Sequence, residues 1–304
     1  MIVVAGLSPA WQQVLVVDAF QPGAITRARE AYWCGSGKVL NVAVALHHLS
    51  DGRPDQVLTF STLGGAAFHA IENEFRAMGV SRRWVRTQSP TRVCTTLVDR
   101  STGLVSELVE NAGPITDAEL TQFETRFAEV AADAKVVVLT GSLPKGAPPD
   151  FFRRLLQHTR GQAVLDIRGP ELLAALEARP FLVKPNREEL SQTLGQSIRN
   201  DDDLHQAIAE LQRRGAQAVV VTSGKQDLWA GVDGQFLRFT PQPVTNPVNP
   251  IGCGDCLTAG IAWALNQGGD VPTAVEQGMA CARENLQTLI PSDFDRQREH
   301  CNRR

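Results

Sequence analysis

The residues best suited to chemistry lie near the end of the chain, where two glycines bracket a cysteine and an aspartate follows. The stretch runs from Asn249 through Gly252, Cys253 and Gly254 to Asp255, and an apolar run with helical spacing begins there. Glycines let a ligand approach the backbone closely, and the free N–H groups at a helix start favour an anion. A carboxylate beside such a place suggests a base for phosphoryl transfer. Asp is also a favoured helix cap, so this stretch alone leaves both interpretations open.

Polar or glycine-bearing turns follow four short apolar strands elsewhere in the chain. These turns begin at Thr140, Asp166, Lys184 and Thr222. Ligands of parallel sheets gather at the carboxyl ends of the strands. If the strands are parallel, all four turns lie on one edge, where the loop ending at Asp255 can join them. Turns use such residues for their own geometry as well, which is the plainer interpretation.

The elements that must position these groups alternate between strand and helix. Apolar strands of four or five residues with helices between them are typical of a parallel sheet covered on both faces. Strands are predicted at residues 2–7, 56–62, 135–139, 163–166, 181–184 and 218–222, and a hairpin at 228–239. Helices are predicted at residues 38–49, 66–78, 116–132, 150–159, 171–178 and 203–214, with two more starting at 255 and 271. Residues 93–99 and 105–109, with a segment near 12–34, are expected to form a small separate sheet.

Composition limits the class of protein. The 304 residues are 43% hydrophobic and 21% charged with a net charge of −3, which is ordinary for a globular chain. The near-neutral balance argues against nucleic-acid binding. No apolar run reaches the roughly 18 residues of a membrane span, and the N-terminus lacks the charged start of a secretory signal. A cytoplasmic protein without a membrane partner is therefore expected.

The cysteines predict reduced thiols. Six are scattered along the chain, unlike a disulfide framework. Cys253 and Cys256 have C-x-x-C spacing, but a zinc site needs a second pair. A helix N-terminus lowers the pKa of a thiol, so alkylation of Cys253 is expected to inactivate the protein.

Two nucleotide-binding motifs are excluded. Gly35-Ser36-Gly37-Lys38-Val39 is close to a P-loop, but Val39 stands where the motif needs a metal-binding hydroxyl. No G-x-G-x-x-G follows the first strand, so a dinucleotide-binding fold is not supported. Lys38 still starts a helix after two glycines, which suits a phosphate.

Taken together, the motifs resemble those of the phosphofructokinase-B family of sugar kinases in the ribokinase superfamily. Residues 37–43 match G-K-G-x-N-V-A, residues 141–146 match G-S-L-P-x-G, and residues 183–190 contain K-P-N-x-x-E-L. Residues 249–255 match N/D-x-x-G-[AS]-G-D, and the resemblance covers nearly the whole chain. It is strongest to the branch holding 1-phosphofructokinase and tagatose-6-phosphate kinase.

The resemblance implies an architecture and an activity. The fold would be a ribokinase-like α/β domain spanning residues 1–304, with a central, mostly parallel sheet, helices on both faces and a β lid from about residues 10–35 and 88–112. The activity would be ATP- and Mg²⁺-dependent phosphorylation of a sugar phosphate to a bisphosphate. A homodimer formed through the lid is the expected assembly.

It also implies roles for individual residues. Asp255 resembles the catalytic base, and the amides of Gly252, Cys253 and Gly254 would form an anion hole of preorganised donors. Asn186 and Glu189 would hold the Mg²⁺–triphosphate, since magnesium suits carboxylate and phosphate oxygens. The other nucleotide-binding residues would be Lys184, Thr222, Gly224 and Asn249. The sugar end would be bound by Gln12, Gly37, Lys38, Asn41, Arg92 and Ser142, with Lys38 and Arg92 on a substrate phosphate. An Arg fork fits phosphate bidentately.

The chain departs from the family pattern at the sugar end. The usual N-P-A-x-D is Ser8-Pro9-Ala10-Trp11-Gln12 here, so a neutral amide replaces an aspartate. An amide still binds hydroxyls and can also donate, while Trp11 is a possible platform for a sugar face. Val39 replaces a glycine and is expected to crowd the backbone near the sugar. These changes leave open a kinase of an unphosphorylated sugar or nucleoside, or a non-catalytic sugar- or nucleotide-binding relative.

Overall fold

The computed structural model describes residues 1–294, which form two β-sheets and the helices around them. The strands are β1 (Ile2–Gly6), β2 (Ala10–Val17), β3 (Glu30–Ser36), β4 (Val57–Gly64), β5 (Arg82–Thr87), β6 (Arg92–Asp99), β7 (Val105–Val109), β8 (Val136–Thr140), β9 (Gln162–Asp166), β10 (Leu182–Val183), β11 (Ala218–Val221), β12 (Leu228–Val232) and β13 (Gln235–Phe239). The helices are α1 (Lys38–Leu49), α2 (Ala67–Met78), α3 (Asp117–Ala131), α4 (Phe151–Leu156), α5 (Gly169–Leu176), α6 (Arg187–Leu194), α7 (Asp201–Arg214), α8 (Cys253–Asn266) and α9 (Val271–Asn285).

The large sheet has the spatial order β13-β12-β11-β10-β9-β8-β1-β4-β5. Every neighbouring pair from β11 to β5 is parallel, and β12 and β13 join as an antiparallel hairpin. The hairpin turns at Asp233 and Gly234, both in the left-handed region with φ of 50° and 73°, as a type I′ turn requires. The predicted mostly parallel sheet is confirmed.

The core lies on both faces of this sheet. Side chains alternate between faces along a strand, and in β1 Ile2 and Val4 belong to one buried cluster while Val3 and Ala5 belong to another. The first cluster contains residues of α1, α2, α8 and α9, and the second contains residues of α3, α4, α5, α6 and α7. The strands are therefore buried on both sides, which explains why they are continuously apolar.

The small sheet, which we call the lid, has the order β3-β2-β6-β7. Its strands β2 and β6 are parallel, and the two outer pairs are antiparallel. Val14 and Tyr32 are fully buried on one of its faces, in a cluster that includes Ile290 from the segment after α9. The lid is thus packed against the C-terminal part of the described chain.

Two elements were not predicted from the sequence. Strand β5 carries Arg82, Arg83 and Arg86, which hide its alternation, and it forms the edge of the large sheet, where charged residues are common. Helix α6 begins inside the K-P-N-x-x-E-L motif, and a capping box between Asn186 and Glu189 caps its N-terminus. Helix α4 ends at Leu156, earlier than predicted, and α5 starts at Gly169, where Pro170 occupies the first turn.

Two expectations from composition can be compared with residues 1–294. In this part of the chain, no helix has both the length and the apolar character that crossing a bilayer requires. The described cysteines are all free thiols, as predicted: Cys34, Cys94, Cys253, Cys256 and Cys281. Cys301 lies outside the described residues.

Candidate active site

A buried carboxylate organises the carboxyl edge of the large sheet. Asp166 ends β9 and Lys184 follows β10, and the exposed fraction of each residue is only 1% and 3%. Lys184 Nζ lies 3.3 Å from Asp166 Oδ2. Lys38 Nζ, from the first residue of α1, lies 2.8 Å from Asp166 Oδ1. The adjacency of the parallel strands brings these polar strand ends together, as predicted.

The charges of this cluster are coupled. Burial acts to raise the pKa of Asp166, but Lys184 and Lys38 outweigh it and hold that pKa below the usual value. Burial acts to lower the pKa of Lys38, but the carboxylates of Asp166, Glu189 and Asp255 raise it overall. Asp166 and Lys38 are therefore a charged pair at neutral pH.

Asp255 lies in the first turn of α8 and is 8% exposed. Asn41 Nδ2 donates to Asp255 Oδ2 at 2.7 Å, and Ser36 Oγ donates to Asn41 Oδ1 at 3.0 Å. Burial raises the pKa of Asp255 to about 6, and Asp166 adds to the rise, against smaller opposing effects of Lys38 and Asn41. The carboxylate is oriented, dehydrated and more basic than an ordinary aspartate.

The start of α8 presents backbone donors. Gly252 has a φ of 86°, a left-handed conformation that suits glycine. The amides of Gly252 and Gly254 make no hydrogen bond to any described residue, whereas the amide of Cys253 donates to Pro250 O at 3.3 Å. A Cβ built on Gly254 would lie 3.8 Å from Lys184 Nζ. Free amides and an ammonium group thus lie close together where the anion hole was predicted.

Thr258 connects this helix start to the carboxylate of the strand edge. Its Oγ1 lies 3.0 Å from Asp166 Oδ2 and 3.0 Å from the carbonyl oxygen of Gly254. The first turn of α8 is therefore fixed relative to β9.

Asn186 and Glu189 form the capping box of α6. Asn186 Oδ1 accepts from the Glu189 amide at 2.8 Å, and Glu189 Oε2 accepts from the Asn186 amide at 2.9 Å. The other oxygen, Glu189 Oε1, lies 3.6 Å from Lys38 Nζ. Residues 1–294 contain no group of three or more His, Cys, Asp or Glu side chains that could hold a metal. Arg168 Nη1 lies 3.9 Å from the same oxygen. A single carboxylate oxygen outside the capping box fits a Mg²⁺ site, because magnesium in nucleotide sites is held mainly by phosphates and water.

The predicted sugar-end residues contact the lid strands and the turn before β2. Gln12 is 1% exposed and its Nε2 donates to Thr96 Oγ1 at 2.7 Å. Arg92 donates from Nη1 to Glu110 O at 3.0 Å and from Nη2 to Ser8 O at 3.2 Å. Arg92 Nε and Ser8 Oγ are buried without a hydrogen-bond partner among the described residues. Buried unpaired polar atoms are rare, so these two atoms mark a place for a polar ligand.

Gly37 brings the helix start to the same turn. Its φ is 82°, and a Cβ there would lie 3.0 Å from Ser8 O. In the lid, Ala10 pairs with Ser36 on one side and with Arg92 on the other. Gly37 and Arg92, the predicted phosphate-binding arginine, therefore both contact residues 8–10.

The remaining predicted residues lie along the same edge or in residues 249–255, which we call the base loop after the predicted catalytic base Asp255. Ser142 is exposed just beyond β8, and Thr222 bridges Asn186 at the end of β11. Gly224 is exposed with a φ of 60°. Asn249 donates from Nδ2 to Leu289 O at 2.8 Å and accepts from the Ile251 amide at 3.0 Å. Its side chain is thus bound to backbone, and contact with a nucleotide stays a prediction.

Val39, which replaces a glycine of the family motif, is a core residue. Its side chain is 1% exposed and belongs to the core on the α1 face of the sheet. A Cβ on Gly6 would lie 3.0 Å from Val39 Cβ, so the glycine of β1 provides the room. Val39 thus packs closely against the end of β1, and its effect on the sugar end stays a prediction.

Two further expectations need correction. Trp11 stacks on Trp33 with ring centroids 5.7 Å apart, and strand alternation puts it on the face of β2 opposite Gln12, so the two cannot line one sugar. The pKa of Cys253 is raised, mainly by burial, although Asn285 hydrogen-bonds its sulfur. The expected lowering of the pKa of this thiol is therefore not found, and inactivation by alkylation stays a prediction.

Sequence reasoning missed part of the site. Asp166 was noted only as a polar strand end, and Ser36 and Thr258 were not singled out. The signal for Asp166 was its place directly after an apolar strand. Thr258 carries no such signal, because its partner Asp166 lies on a distant segment. Ser36 contacts Asn41, only five residues further on, and could have been singled out beside that residue.

The fold, with a small sheet beside a large parallel sheet, and the charged site at its edge are those expected of a phosphotransferase. A family model described as pfkB family carbohydrate kinase matches residues 15–292. The chain belongs to the pfkB family of carbohydrate kinases and is an enzyme that phosphorylates sugars.

Named relatives agree with this family. The chain is 31% identical over 269 residues to a 1-phosphofructokinase of Vibrio cholerae, covering 88% of this chain and 83% of the relative. It is 27% identical over 271 residues to a tagatose-6-phosphate kinase of Staphylococcus epidermidis, covering 87% and 85%. Both belong to the branch that the motifs resembled.

Solved structures share the fold. The tetrameric inhibited form of phosphofructokinase-2 from Escherichia coli superposes with a TM-score of 0.86 at 24% identity, covering 97% of each chain. A ribokinase from Thermotoga maritima gives a TM-score of 0.77 at 18% identity, covering 97% and 96%. The predicted ribokinase-like fold is confirmed.

Proposed function

We propose that this enzyme transfers the γ-phosphoryl group of ATP, with Mg²⁺, to a hydroxyl of a sugar phosphate of the fructose 1-phosphate or tagatose 6-phosphate type. The product would be a bisphosphate. The observation that carries the proposal is Asp255, a buried carboxylate at a helix N-terminus with its pKa raised to about 6. The names of the two relatives support the substrate class.

Asp255 is the general base in this proposal. With a pKa of about 6, the Asp255 carboxylate is mostly ionised at neutral pH. Its raised basicity favours proton transfer near neutral pH. Asn41 holds one oxygen at 2.7 Å, which leaves the other to accept the proton of the attacking sugar hydroxyl. The alkoxide character develops as the phosphoryl group is transferred.

The free amides of Gly252 and Gly254, with Lys184, would stabilise the charge on the transferring group. They are fixed before substrate binds, because Gly252 is held in its left-handed turn and Thr258 contacts Gly254 O. Preorganised donors of this kind contribute about 10²–10³ in rate each. Asp166 binds no substrate here and instead holds Lys184 and Lys38 in place.

Glu189 Oε1, with Asn186 beside it, would hold Mg²⁺ bound to the triphosphate. The ion would neutralise phosphate oxygens during transfer. A cavity of about 450 Å³ lies directly before the base loop, a size suited to a small-molecule group. We assign it to the nucleotide base, with Thr222 and Gly224 lining the path; its walls are Gln242, Pro243, Val244, Thr245, Asn246, Val248, Arg283 and Gln287.

Lys38 and Arg92 would bind the phosphate already on the sugar, and Gln12 and Asn41 its hydroxyls. A phosphate is a better acceptor for the Arg92 fork than the two backbone carbonyls that now accept from Nη1 and Nη2. The unpaired Arg92 Nε and Ser8 Oγ support a ligand in this position.

A second candidate substrate is an unphosphorylated sugar. The observation in its favour is that both terminal nitrogens of Arg92 already donate to carbonyl oxygens, Glu110 O and Ser8 O. An uncharged sugar needs no exchange of those bonds.

A panel of sugar phosphates and free sugars, assayed for ADP release with MgATP, tests the proposal. We expect turnover of ketohexose phosphates and little of free sugars. Arg92→Ala should raise KM for the phosphorylated sugar at least about tenfold, the loss of a charged bidentate pair, and leave any turnover of free sugars unchanged. Turnover of free sugars alone would establish the second candidate, and equal loss on both classes would refute a phosphate pocket at Arg92.

We also propose a homodimer formed through the lid, located in the cytoplasm. The edge strand β7 exposes Leu108 and Val109 at 71% and 56%, and exposed apolar edge strands are places of pairing. Free described thiols suit a reducing compartment.

A further inference from the structure

The side chain of Asn285, the last residue of α9, is completely buried beside the base loop. Its Nδ2 donates to Ile251 O at 2.8 Å and to Cys253 Sγ at 3.3 Å. Its Oδ1 accepts from the Ser292 amide at 2.7 Å and from the Cys256 thiol at 3.4 Å. One amide thus joins the end of α9, the base loop, the first turn of α8 and the segment that follows α9.

The bond to Ile251 O acts on a donor of the anion hole. Ile251 O and the Gly252 N–H belong to the same peptide unit, which is planar and trans, so the two groups point in opposite directions. Fixing the oxygen on Asn285 therefore fixes the direction of the Gly252 N–H. A hydrogen bond accepted by a carbonyl also polarises its peptide and strengthens the N–H as a donor.

The packing leaves this loop few other positions. A Cβ on Gly252 would lie 2.9 Å from Pro291 Cβ and 3.3 Å from Asn285 Oδ1. Asn249 holds the same loop from its other side, through the Ile251 amide and Leu289 O. Ile251 is thus bound at its N–H by one asparagine and at its C=O by another.

We propose that Asn285 is a positioning residue for phosphoryl transfer, which orients and polarises the Ile251–Gly252 peptide so that the Gly252 N–H faces the transferring group. Asn285 contacts no substrate. The inference rests on the proposed function of the base loop and adds the residue that sets its geometry.

The test compares Asn285→Ala with Asn266→Ala in the full chain. Asn266 is the matched control because it is also a buried asparagine, 7% exposed, at the end of a helix, but at the far end of α8. Both variants remove a buried amide, but Asn266 Oδ1 has no hydrogen-bond partner among the described residues. The control therefore reports the loss of a buried amide without the loss of bonds to the base loop. For Asn285→Ala we expect kcat to fall about 100-fold, the scale of losing one preorganised donor, with KM for the sugar within about threefold. Asn266→Ala should keep kcat within about twofold of wild type.

A second variant keeps the inference testable if Asn285→Ala does not fold. Asn285→Asp preserves the shape, and its protonated form can donate to Ile251 O and accept from Ser292, whereas its carboxylate cannot donate. We expect its kcat to be below one-tenth of wild type at pH 8.5, with the ratio rising at least about fivefold by pH 6. Any other pattern, or a folded Asn285→Ala with kcat within about twofold of the control, overturns the inference.

The two proposals fail in different ways. The assays use whichever sugar the wild type phosphorylates, so a different substrate would refute the proposed sugar phosphate and leave the Asn285 comparison intact. A normal rate in Asn285→Ala on the correct substrate would refute the positioning role alone.

Discussion

Two buried aspartates lie in one charge cluster and have opposite pKa shifts. Asp166 forms salt bridges with both ammonium groups, Lys38 at 2.8 Å and Lys184 at 3.3 Å, and its pKa is lowered. Asp255 accepts a hydrogen bond from the neutral amide of Asn41, and its pKa is raised to about 6. Pairs of acids with separated pKa values mark a division of roles. Asp166 is the permanent counter-charge, and Asp255 is the group that can exchange a proton.

Asp255→Asn should abolish most turnover and leave nucleotide binding intact. A general base contributes about 10²–10⁴ in rate, so we expect kcat to fall about 1,000-fold. For the wild type, kcat/KM should decline about tenfold per pH unit below about 6, where Asp255 becomes protonated. Steady-state kinetics and calorimetric titration with ATP measure both. Near-wild-type kcat in the variant would show that the base is another group.

The same substitution should stabilise the fold at alkaline pH. The folded pKa of about 6 lies above the ordinary value of 3.8, so the folded state binds more protons between these pH values. Wild-type stability therefore falls as pH rises from about 4 to 6, and Asn removes this loss. We expect Asp255→Asn to gain at most about 3 kcal/mol at pH 8, from about two pKa units, and nothing at pH 4. Urea unfolding at both pH values tests this; an equal difference at both would rule out the ionisation of Asp255 as the cause.

At this scale, the sequence identified groups whose place is fixed by local motifs. Asp255 and the neighbouring glycines are adjacent in the sequence, so their proximity follows from their spacing alone. The contacts of Asp166, Thr258 and Asn285 join segments that are distant in the sequence. A single sequence does not indicate which distant segments come into contact.

At the scale of elements, helices α6 and α3 begin with the same chemistry. Each has a capping box, between Asn186 and Glu189 in α6 and between Thr116 and Glu119 in α3. In α6 the glutamate has a second oxygen 3.6 Å from Lys38, at the edge where the active site lies. In α3 the glutamate caps its helix and accepts from the Gln88 amide at 2.6 Å. The metal-binding role proposed for Glu189 is thus combined with a structural one.

Glu189→Gln separates these roles, because glutamine also serves in a capping box. We expect the melting temperature to change little, while the Mg²⁺ concentration for half-maximal activity rises about tenfold, as one carboxylate ligand is lost. Glu119→Gln is the matched control and should leave the Mg²⁺ dependence unchanged. An unchanged dependence in both variants would assign Glu189 to the helix cap alone.

Elements were predictable where burial is uniform. The strands β1, β8 and β11 are buried along their whole length and were found as apolar runs. The edge strand β5 was missed because solvent on its open side permits arginines, and α6 because its eight residues REELSQTL contain few apolar positions. The periodicity of hydrophobic residues reports burial, so elements at the margin of the core give weak signals.

At the scale of the molecule, the lid and the base loop contact the same segment, which follows α9. Ile290 packs in the lid cluster with Val14 and Tyr32. In the same segment, Leu289 O accepts from Asn249 and the Ser292 amide donates to Asn285. The lid and the base loop are thus both bound to residues 289–292. The proposed association of the lid with a second copy bears on the site for this reason.

Leu108→Asp should therefore separate the proposed dimer. Leu108 is 71% exposed on β7, the open edge of the lid, and a charge in an apolar interface is costly to bury. Phe236→Asp is the matched control, since Phe236 is 39% exposed on β13, the open edge of the large sheet. Light scattering during size exclusion should give twice the 33.0 kDa chain mass for wild type and control, and a single chain for Leu108→Asp. A monomeric wild type would refute the dimer, and a variant that stays dimeric would place the interface elsewhere.

Because the lid and the base loop contact the same segment, the monomeric variant should also lose turnover at an unchanged melting temperature.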